Sequence, residues 1–299
     1  MSGKFALCVG GTSGIGNALA RKFAKNNINV IVLGRNEVAG NKLVESMKQD
    51  NKNGIFEFHH CDAFLMKNIR ITCGMLKNKL PMLNYCVFTQ GIVSMDNRVE
   101  TSEGIDKKLA LHYYGRMQFI EELLPLLRAG AELRQDAKVV SVLSAGEHQP
   151  YLHQSDLALR RNYTLSDAAN AAGFYTDLSL DNYSRDLPAN EGVSFLHVHP
   201  GNVRTNWGSD LGLVHRVLSK LIQAGAMSPE KCADKMSLPL FSEHVARGGF
   251  YIISKTGEPA HTTAAHGPVW REQVANHTLE VLEGCKAAAN SQPADEVVQ

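Results

Sequence analysis

Short, continuously apolar segments alternate with longer amphipathic segments along most of the chain. Continuous apolar runs are typical of strands that are buried on both faces, and apolar residues three and four positions apart are typical of helices. This pattern predicts seven strands, at residues 5–8, 29–33, 55–60, 83–88, 139–144, 193–198 and 249–253. Strands that alternate with helices predict a single α/β domain with a doubly wound parallel sheet.

A glycine-rich turn joins the first predicted strand to the first predicted helix. Its three glycines have the spacing G-x-x-x-G-x-G. Glycine permits a tight turn and a close approach of backbone to ligand, and the amides at a helix N-terminus favour a pyrophosphate. The turn is therefore predicted to bind a dinucleotide, and a turn that serves only helix–strand packing is the alternative. The predicted contacts are Gly10, Thr12, Ser13, Gly14, Ile15 and Gly16.

The residues that follow the next strands bear on which dinucleotide binds. An acidic residue after the second strand accepts hydrogen bonds from the ribose of NAD, but this chain has Arg35 and Asn36 there. A guanidinium binds a 2′-phosphate bidentately, through charge-assisted bonds worth about 1.5–3 kcal/mol. The sequence therefore predicts NADP, and a solvated arginine is the alternative. Asp62 would reach the adenine or cap a helix, and Gly91 would lie close to a cofactor ring.

The composition argues against several other classes of protein. The 299 residues are 44% hydrophobic and carry a formal net charge of +1. A balance so close to neutral offers no footprint for nucleic acid or an anionic membrane. No apolar run approaches the roughly 18 residues of a membrane span, and the first strand starts close to Met1. We therefore expect no signal peptide and a cytoplasmic location.

Further motifs follow the glycine turn in a fixed order: residues 101–106, Ser144, residues 199–205, residues 228–230 and residues 249–251. Over about residues 4–259, this order resembles the short-chain dehydrogenase/reductases, above all retinol-dehydrogenase-like members and fungal oxidoreductases of secondary metabolism. The resemblance implies a Rossmann-type sheet with strand order 3-2-1-4-5-6-7. It also implies that the nicotinamide and pyrophosphate are lined by Pro200, Gly201, Val203 and Thr205.

The family's chemistry needs a serine and a tyrosine on the carbonyl, with a lysine four residues after the tyrosine. The lysine is needed because a tyrosine with a pKa near 10 is a poor acid or base at neutral pH without a nearby ammonium. Ser144 matches the serine, but no Y-x-x-x-K follows it before the Pro-Gly turn. The candidate tyrosines are Tyr175, with Ser179 at the lysine position, and Tyr163, with Asp167 there.

The spacing within the predicted catalytic helix offers a second estimate. Counting back from Gly201 by the family's usual spacing places the tyrosine position at Asn170 and the lysine position at Phe174. Either candidate tyrosine would need a shift of more than one helical turn to reach that position. If neither shifts, the catalytic pair is absent. The family's central-helix asparagine is replaced by His112, which serves either as a titratable relay or as a packing residue.

The carboxyl-terminal part of the chain adds two expectations. Residues 206–227 resemble the family's substrate lid, and their apolar positions predict closure over a hydrophobic small molecule. A helix on a membrane surface is the alternative, although only Arg216 and Lys220 supply positive charge there. The composition beyond residue 285 predicts a disordered tail over 286–299, so the predicted domain spans residues 1–285.

Two functions follow from these patterns. The first is an NADP-dependent oxidoreductase that moves hydride between nicotinamide and a carbonyl or alcohol carbon of an apolar small molecule. The resemblance adds a role in secondary metabolism as an expectation. The alternative is a redox-inactive member that acts as a cyclase, an isomerase or an NADP-binding protein. Because the family's central helices commonly form subunit interfaces, a homo-oligomer is a further expectation.

Overall fold

The computed structural model describes residues 3–148, 150–151, 153–204, 225–241, 245–262 and 265–291. Within these ranges, eight strands form one sheet in the order β3-β2-β1-β4-β5-β6-β7-β8. The predicted order of the first seven strands is confirmed. Their bounds are β1 Phe5–Val9, β2 Asn29–Gly34, β3 Phe56–His60, β4 Tyr85–Phe88, β5 Lys138–Val142, β6 Ser194–Val198, β7 Gly249–Ile253 and β8 Pro259–Ala260.

Helices connect the strands. Their bounds are α1 Gly14–Lys25, α2 Glu37–Asp50, α3 Met66–Lys79, α4 Lys107–Leu109, α5 Gly115–Glu132, α6 Leu165–Arg185, α7 Pro229–Phe241 and α8 Pro268–Ser291. A π-helical turn over Ala110–Tyr114 joins α4 to α5, and a short 3₁₀ helix covers Gln154–Asp156. The apolar periodicity of residues 103–127 predicts one long helix; the structure has a helical segment from Lys107 to Glu132 instead, interrupted by the π turn.

The eighth strand of the described sheet was not predicted from the apolar pattern of the sequence. It pairs antiparallel with β7, with Ala260 opposite Ile252 and Pro259 opposite Ile253. A proline is tolerated at a sheet edge, where no further strand needs its missing N–H. Two residues, one of them proline, carry no periodic apolar pattern, which explains the omission.

The core lies on both faces of the sheet. Phe5, Leu7 and Val9 of β1 point into one apolar cluster, while Ala6 and Cys8 point into the other. Helices α3, α5, α6 and α8 cover the first face, and α1, α2 and α7 cover the second. Strands covered on both faces need apolar side chains at successive positions, which accounts for the continuous runs in the sequence.

Two regions bear on the predicted lid and tail. Residues 206–224 of the predicted lid lie outside the described residues. Helix α8 continues to Ser291, so residues 286–291 of the predicted tail are helical. Three successive alanines in this stretch favour helix, since alanine is the best helix former. None of the helices in the described ranges is long and apolar enough to cross a membrane.

Candidate cofactor and active site

The glycine-rich turn packs its backbone directly against the end of β4. Gly10 has a φ of +78° and Gly14 a φ of +54°, in the region that favours glycine. A Cβ atom at Gly10 would lie 2.5 Å from the backbone nitrogen of Gln90, and one at Gly16 would lie 2.4 Å from Oγ1 of Thr89. Because glycine has no side chain at positions 10 and 16, the turn can lie this close to the end of β4. The backbone amides at the N-terminus of α1 follow directly in the chain.

The other predicted residues of the turn have distinct environments. Thr12 lies against Gly34, where a Cβ atom would be 2.8 Å from Cγ2 of Thr12. Ser13 is exposed at the N-cap of α1, and its side chain makes no capping hydrogen bond. Ile15 is half-buried and packs against the apolar cluster on its face of the sheet. The Ser13 hydroxyl is therefore not used to cap α1.

Arg35 lines a cavity of about 750 Å³. Its guanidinium carbon is 5.1 Å from the ring centroid of Phe64, which is a cation–π distance. Asp62 lines the same cavity, and its Oδ1 accepts a hydrogen bond of 3.2 Å from the Phe64 amide. Asn36 instead caps α2, because its Oδ1 accepts a hydrogen bond of 2.9 Å from the Ala39 amide.

The remaining predicted cofactor contacts that the structure describes lie at the same carboxyl edge of the parallel strands. At Gly91, a Cβ atom would lie 3.0 Å from Nε2 of His112. Gly201 has a φ of +73°, and its amide donates a hydrogen bond of 2.8 Å to Nδ1 of His199. Pro200 precedes it, and Val203 is buried in an isolated bridge with Met227. Thr205 lies outside the described residues.

No hydrogen bond among the described residues joins Ser144 to Tyr175 or to Tyr163. Ser144 is half-buried just beyond the end of β5. Tyr175 is fully buried, and its hydroxyl donates a hydrogen bond of 3.4 Å to the Leu157 carbonyl oxygen. Burial raises the pKa of Tyr175 far above its ordinary value. A catalytic role for Tyr175 therefore stays a prediction.

Tyr163 lies beside a lysine, but not the lysine that the family pattern requires. The Nζ atom of Lys108 is 5.5 Å from the centroid of the Tyr163 ring. The Tyr163 hydroxyl is buried and has no hydrogen-bond partner within the described ranges. Burial, together with the negative charge of Asp106, raises the pKa of Tyr163 to about 12. A proton-transfer role for Tyr163 also stays a prediction.

Counting back from Gly201 assigned the tyrosine and lysine positions to Asn170 and Phe174, which lie on one face of α6. Oδ1 of Asn170 is 3.3 Å from Nδ1 of His148. The His148 ring lies directly over Gly173, where a Cβ atom would be 1.7 Å from Cδ2 of the imidazole. Phe174 is fully buried, and its ring centroid is 5.2 Å from that of His266 and 5.7 Å from that of Trp270.

Farther along α6, a buried carboxylate holds two histidines. Oδ1 of Asp177 is 2.6 Å from Nδ1 of His197, and Oδ2 is 3.2 Å from Nε2 of His266. Burial raises the pKa of Asp177, but the two imidazoles more than offset this effect and lower it to about 2. The group is therefore a carboxylate at neutral pH. Nε2 of His197 is buried and has no hydrogen-bond partner in the part of the chain that is described.

His112 has a structural role in the described structure. Its Nε2 accepts a hydrogen bond of 2.9 Å from the Ile92 amide. Burial and the positive charges of Arg116 and Lys108 lower the pKa of His112 to about 3. His112 is therefore neutral at physiological pH, which favours the packing interpretation over a titratable relay.

Comparisons with known proteins agree with this geometry. The family model described as short chain dehydrogenase matches residues 4–212. The chain belongs to the short-chain dehydrogenase family. It is 38% identical to oxidoreductase AN1596 of Emericella nidulans, over 67% of this chain and 59% of that protein. It is 28% identical to human polyprenol dehydrogenase, over 73% of this chain and 66% of that protein.

The matched part of this chain thus spans 59% and 58% of the first two curated relatives. Among solved structures, MalC reductase/Diels-Alderase from Malbranchea aurantiaca is 18% identical, with a TM-score of 0.60 over 86% of this chain and 96% of that one. A metagenomic short-chain oxidoreductase in complex with NADP is 17% identical, with a TM-score of 0.59 over 85% of this chain and 97% of that one. At these identities, the likeness shows the fold.

The short-chain dehydrogenase pattern did not predict the polar cluster on α6. His148, Asp177 and His197 come from a loop, a helix and a strand, and no local motif joins them. A weak signal was available, because Asn170 and Asp177 are seven residues apart and so lie on one helical face. The partners of Asp177 become evident only once β6 is packed against α6.

Proposed function

We propose that this chain is an NADP(H)-dependent oxidoreductase that transfers hydride between nicotinamide and a carbonyl or alcohol carbon of an apolar small molecule. The observation that carries the proposal is the glycine cradle at Gly10 and Gly16, with Arg35 directly after the neighbouring strand β2. A Cβ atom would fill the cradle, and an arginine in this place suits a 2′-phosphate. The cofactor fits the residues that are present.

Each group has a defined task in this proposal. NADP(H), when bound, donates or accepts the hydride. The amides at the start of α1 bind the pyrophosphate, Arg35 pairs with the 2′-phosphate, and Asp62 contacts the adenine. The Ser144 hydroxyl donates a hydrogen bond to the substrate oxygen and polarises the carbonyl.

The names of relatives support the cofactor and the substrate class. The metagenomic short-chain oxidoreductase was solved with NADP, and the human relative acts on a polyprenol, a long apolar alcohol. Two fungal relatives are named as oxidoreductases, which supports redox chemistry. All three points are carried over to this chain as part of the proposal.

A second candidate is a non-redox cyclase or isomerase that binds NADP. The specific observation in its favour is Phe174, which is buried at the counted lysine position. Without an ammonium, a tyrosine near this position would not be activated as in the rest of the family. The name of MalC, a reductase and Diels-Alderase, shows that one fold neighbour combines both chemistries.

Cofactor titration tests the proposal. Binding of NADPH and NADH is followed by fluorescence for the wild type, Arg35→Gln and the control Arg134→Gln, which changes an exposed arginine outside the cavity. Losing a charge-assisted contact of about 1.5–3 kcal/mol should weaken NADPH binding by roughly 10- to 100-fold in Arg35→Gln. NADH binding should not change, and Arg134→Gln should bind both cofactors like the wild type.

Turnover then separates the two candidates. Absorbance at the NADPH band is followed with a panel of apolar aldehydes and ketones, and in reverse with long-chain alcohols. Turnover supports the oxidoreductase. Tight NADPH binding without turnover on any of them supports the non-redox candidate, and equal binding of NADH and NADPH contradicts the role of Arg35.

A further inference from the structure

A half-buried histidine lies beside the position that the count assigns to the family's tyrosine. We propose that His148 is the proton-transfer residue of this site, and that Asn170 and the Asp177–His197 pair are positioning residues that act through it. This inference rests on the proposed oxidoreductase function. It assigns the proton step to an imidazole instead of a tyrosine and lysine.

The first support is the location of His148. It lies four residues after Ser144 on the connection from β5 to α6. The first turn of this connection is closed by a hydrogen bond of 3.2 Å from the Glu147 amide to the Ser144 carbonyl oxygen. Both residues therefore lie beyond the carboxyl end of β5, at the edge of the sheet where the cofactor cradle lies.

The second support is the fit between His148 and α6. Gly173 has no side chain, and the imidazole fills the space that a Cβ atom would occupy. Asn170 lies one turn earlier on the same face and contacts Nδ1 of the ring. This contact places His148 against the counted tyrosine position, so an imidazole stands where the family has a phenol.

The third support is the protonation pattern that the contacts impose. Oδ1 of Asn170 can only accept a hydrogen bond, so Nδ1 of His148 carries a proton. In the neutral ring, Nε2 is then a proton acceptor. Nε2 is buried and has no hydrogen-bond partner among the described residues. A buried polar atom without a partner is costly, and a substrate hydroxyl would supply the missing one.

The charges around His148 suit a base at neutral pH. Burial lowers the pKa of His148, and the nearby His197 lowers it further. The hydrogen bond with Asn170 and the negative charges of Asp177 and Glu147 raise the pKa of His148. The net effect is a pKa below the ordinary value of 6.5. The ring is thus mainly neutral at pH 7, with its acceptor nitrogen available.

The Asp177–His197 pair lies close enough to influence this histidine. Because a carboxylate oxygen only accepts, Asp177 requires the proton of His197 to be on Nδ1, at 2.6 Å. Nε2 of His197 is buried and has no hydrogen-bond partner in the described ranges. Asp177 also contacts Nε2 of His266, so one carboxylate holds both rings in fixed orientations on the α6 side of His148.

The proposed step balances in both directions. In oxidation, the alcohol O–H proton moves to Nε2 of His148 as the carbinol carbon loses hydride to the nicotinamide, and a carbonyl forms. In reduction, the His148 imidazolium returns a proton to the carbonyl oxygen as the carbon gains hydride. The half-buried ring then exchanges its proton with water. Ser144 donates a hydrogen bond to the same oxygen throughout.

The first experiment compares His148→Gln with the control His153→Gln, which changes an exposed histidine of the same connection. Glutamine keeps a polar side chain over Gly173 but cannot transfer a proton. His148→Gln should bind NADPH like the wild type and lose roughly 10²- to 10⁴-fold in kcat, the usual contribution of general acid–base catalysis. His153→Gln should keep wild-type kcat.

The pH profiles of kcat/KM give a readout that a purely structural role would not change. In the wild type, oxidation should rise with pH through the pKa of His148, and reduction should fall through the same value. His148→Gln should lack both limbs. Wild-type kcat with the same limbs in this variant would overturn the inference while leaving the oxidoreductase proposal intact. A wild type that binds NADPH but shows no turnover would overturn both.

A second experiment needs neither cofactor nor activity. Nitrogen-15 spectra of the imidazoles are assigned by comparing the wild type with His148→Gln, in the protein without cofactor. The neutral His148 ring should carry its proton on Nδ1, and Asn170→Ala should shift the proton toward Nε2. A wild-type His148 with its proton on Nε2 would contradict the proposed base.

Discussion

The two halves of the carboxyl edge of the sheet differ in how closely they follow the short-chain dehydrogenase pattern. Around β1 and β2, the glycines, the close contact with β4 and the arginine all match a dinucleotide site. Around β5, β6 and α6, Ser144 matches, but the positions that the count assigns to the tyrosine and lysine hold Asn170 and Phe174. The first half therefore follows the family's sequence pattern, and the second half departs from it.

The difference follows from what each half must do. A pyrophosphate is bound largely by backbone amides, so the first half depends on chain geometry that only glycine permits. Proton transfer depends on a side chain with a suitable pKa, and several residue types can provide one. In the second half, His148 contacts Asn170 at the counted tyrosine position, and the Asp177–His197 pair lies farther along the same helix. Three predictions test this contrast, beginning with the largest expected effect.

The largest effect is expected for Gly10→Ala. The positive φ costs roughly 1–2 kcal/mol for alanine, and the new Cβ atom would lie 2.5 Å from the Gln90 backbone. The turn must move, so we expect NADPH affinity to fall by about 100-fold or more, which corresponds to about 2.7 kcal/mol. Fluorescence titration measures the affinity, and chemical denaturation measures the free energy of unfolding.

The matched control is Gly74→Ala on α3, where a Cβ atom meets nothing within 4 Å. Alanine should stabilise this helix by up to about 1 kcal/mol and leave NADPH affinity unchanged. If Gly10→Ala binds NADPH like the wild type, the turn is not the cofactor cradle.

The second prediction concerns Asp177→Asn. The change removes the charge from the hydrogen bonds to His197 and His266, and we expect the free energy of unfolding to fall by about 3 kcal/mol at pH 7. NADPH affinity should stay close to that of the wild type. Asp181→Asn is the control, since that carboxylate pairs with Arg185 and Arg271 nearer the surface. Its loss should cost about 1 kcal/mol or less.

The pH dependence of stability gives a further test of Asp177. The pKa of Asp177 falls from 3.8 to about 2 on folding. Its stabilising contribution is therefore complete above pH 3.8 and is lost as the pH falls toward 2. Denaturation series over this range should show a steeper loss of stability in the wild type than in Asp177→Asn. Parallel curves for the two proteins would show that the carboxylate is not held by its histidines.

The smallest effects are expected for Tyr175→Phe and Tyr163→Phe. The Tyr175 hydroxyl loses one hydrogen bond of 3.4 Å, which should cost less than about 1 kcal/mol. Removing the unpartnered Tyr163 hydroxyl should be neutral or slightly stabilising. Both variants should keep wild-type kcat. A loss of about 100-fold in either would assign the proton step to that tyrosine and remove it from His148.

The amino-acid sequence predicted a cofactor site in the first half, and the role of each residue in that site stays a prediction. Gly10, Gly14 and Gly16 stand in a local motif, and Arg35 directly follows a buried strand, so adjacency along the chain was enough. The apolar runs predicted where the first seven strands lie, and their order followed from the family resemblance. The roles of Tyr175 and Tyr163 could not be decided in the same way, because burial of a hydroxyl depends on which residues from other elements cover it.

The sequence by itself therefore determined the parallel sheet, the glycine turn and the arginine beside it, since each rests on interactions between neighbours in the chain. Only the tertiary structure brought His148 onto Gly173 and placed His197 and His266 on one carboxylate. Those contacts join residues that are 20 to 89 positions apart. Their energies depend on burial and on exact distances, and no periodicity along the chain encodes either quantity.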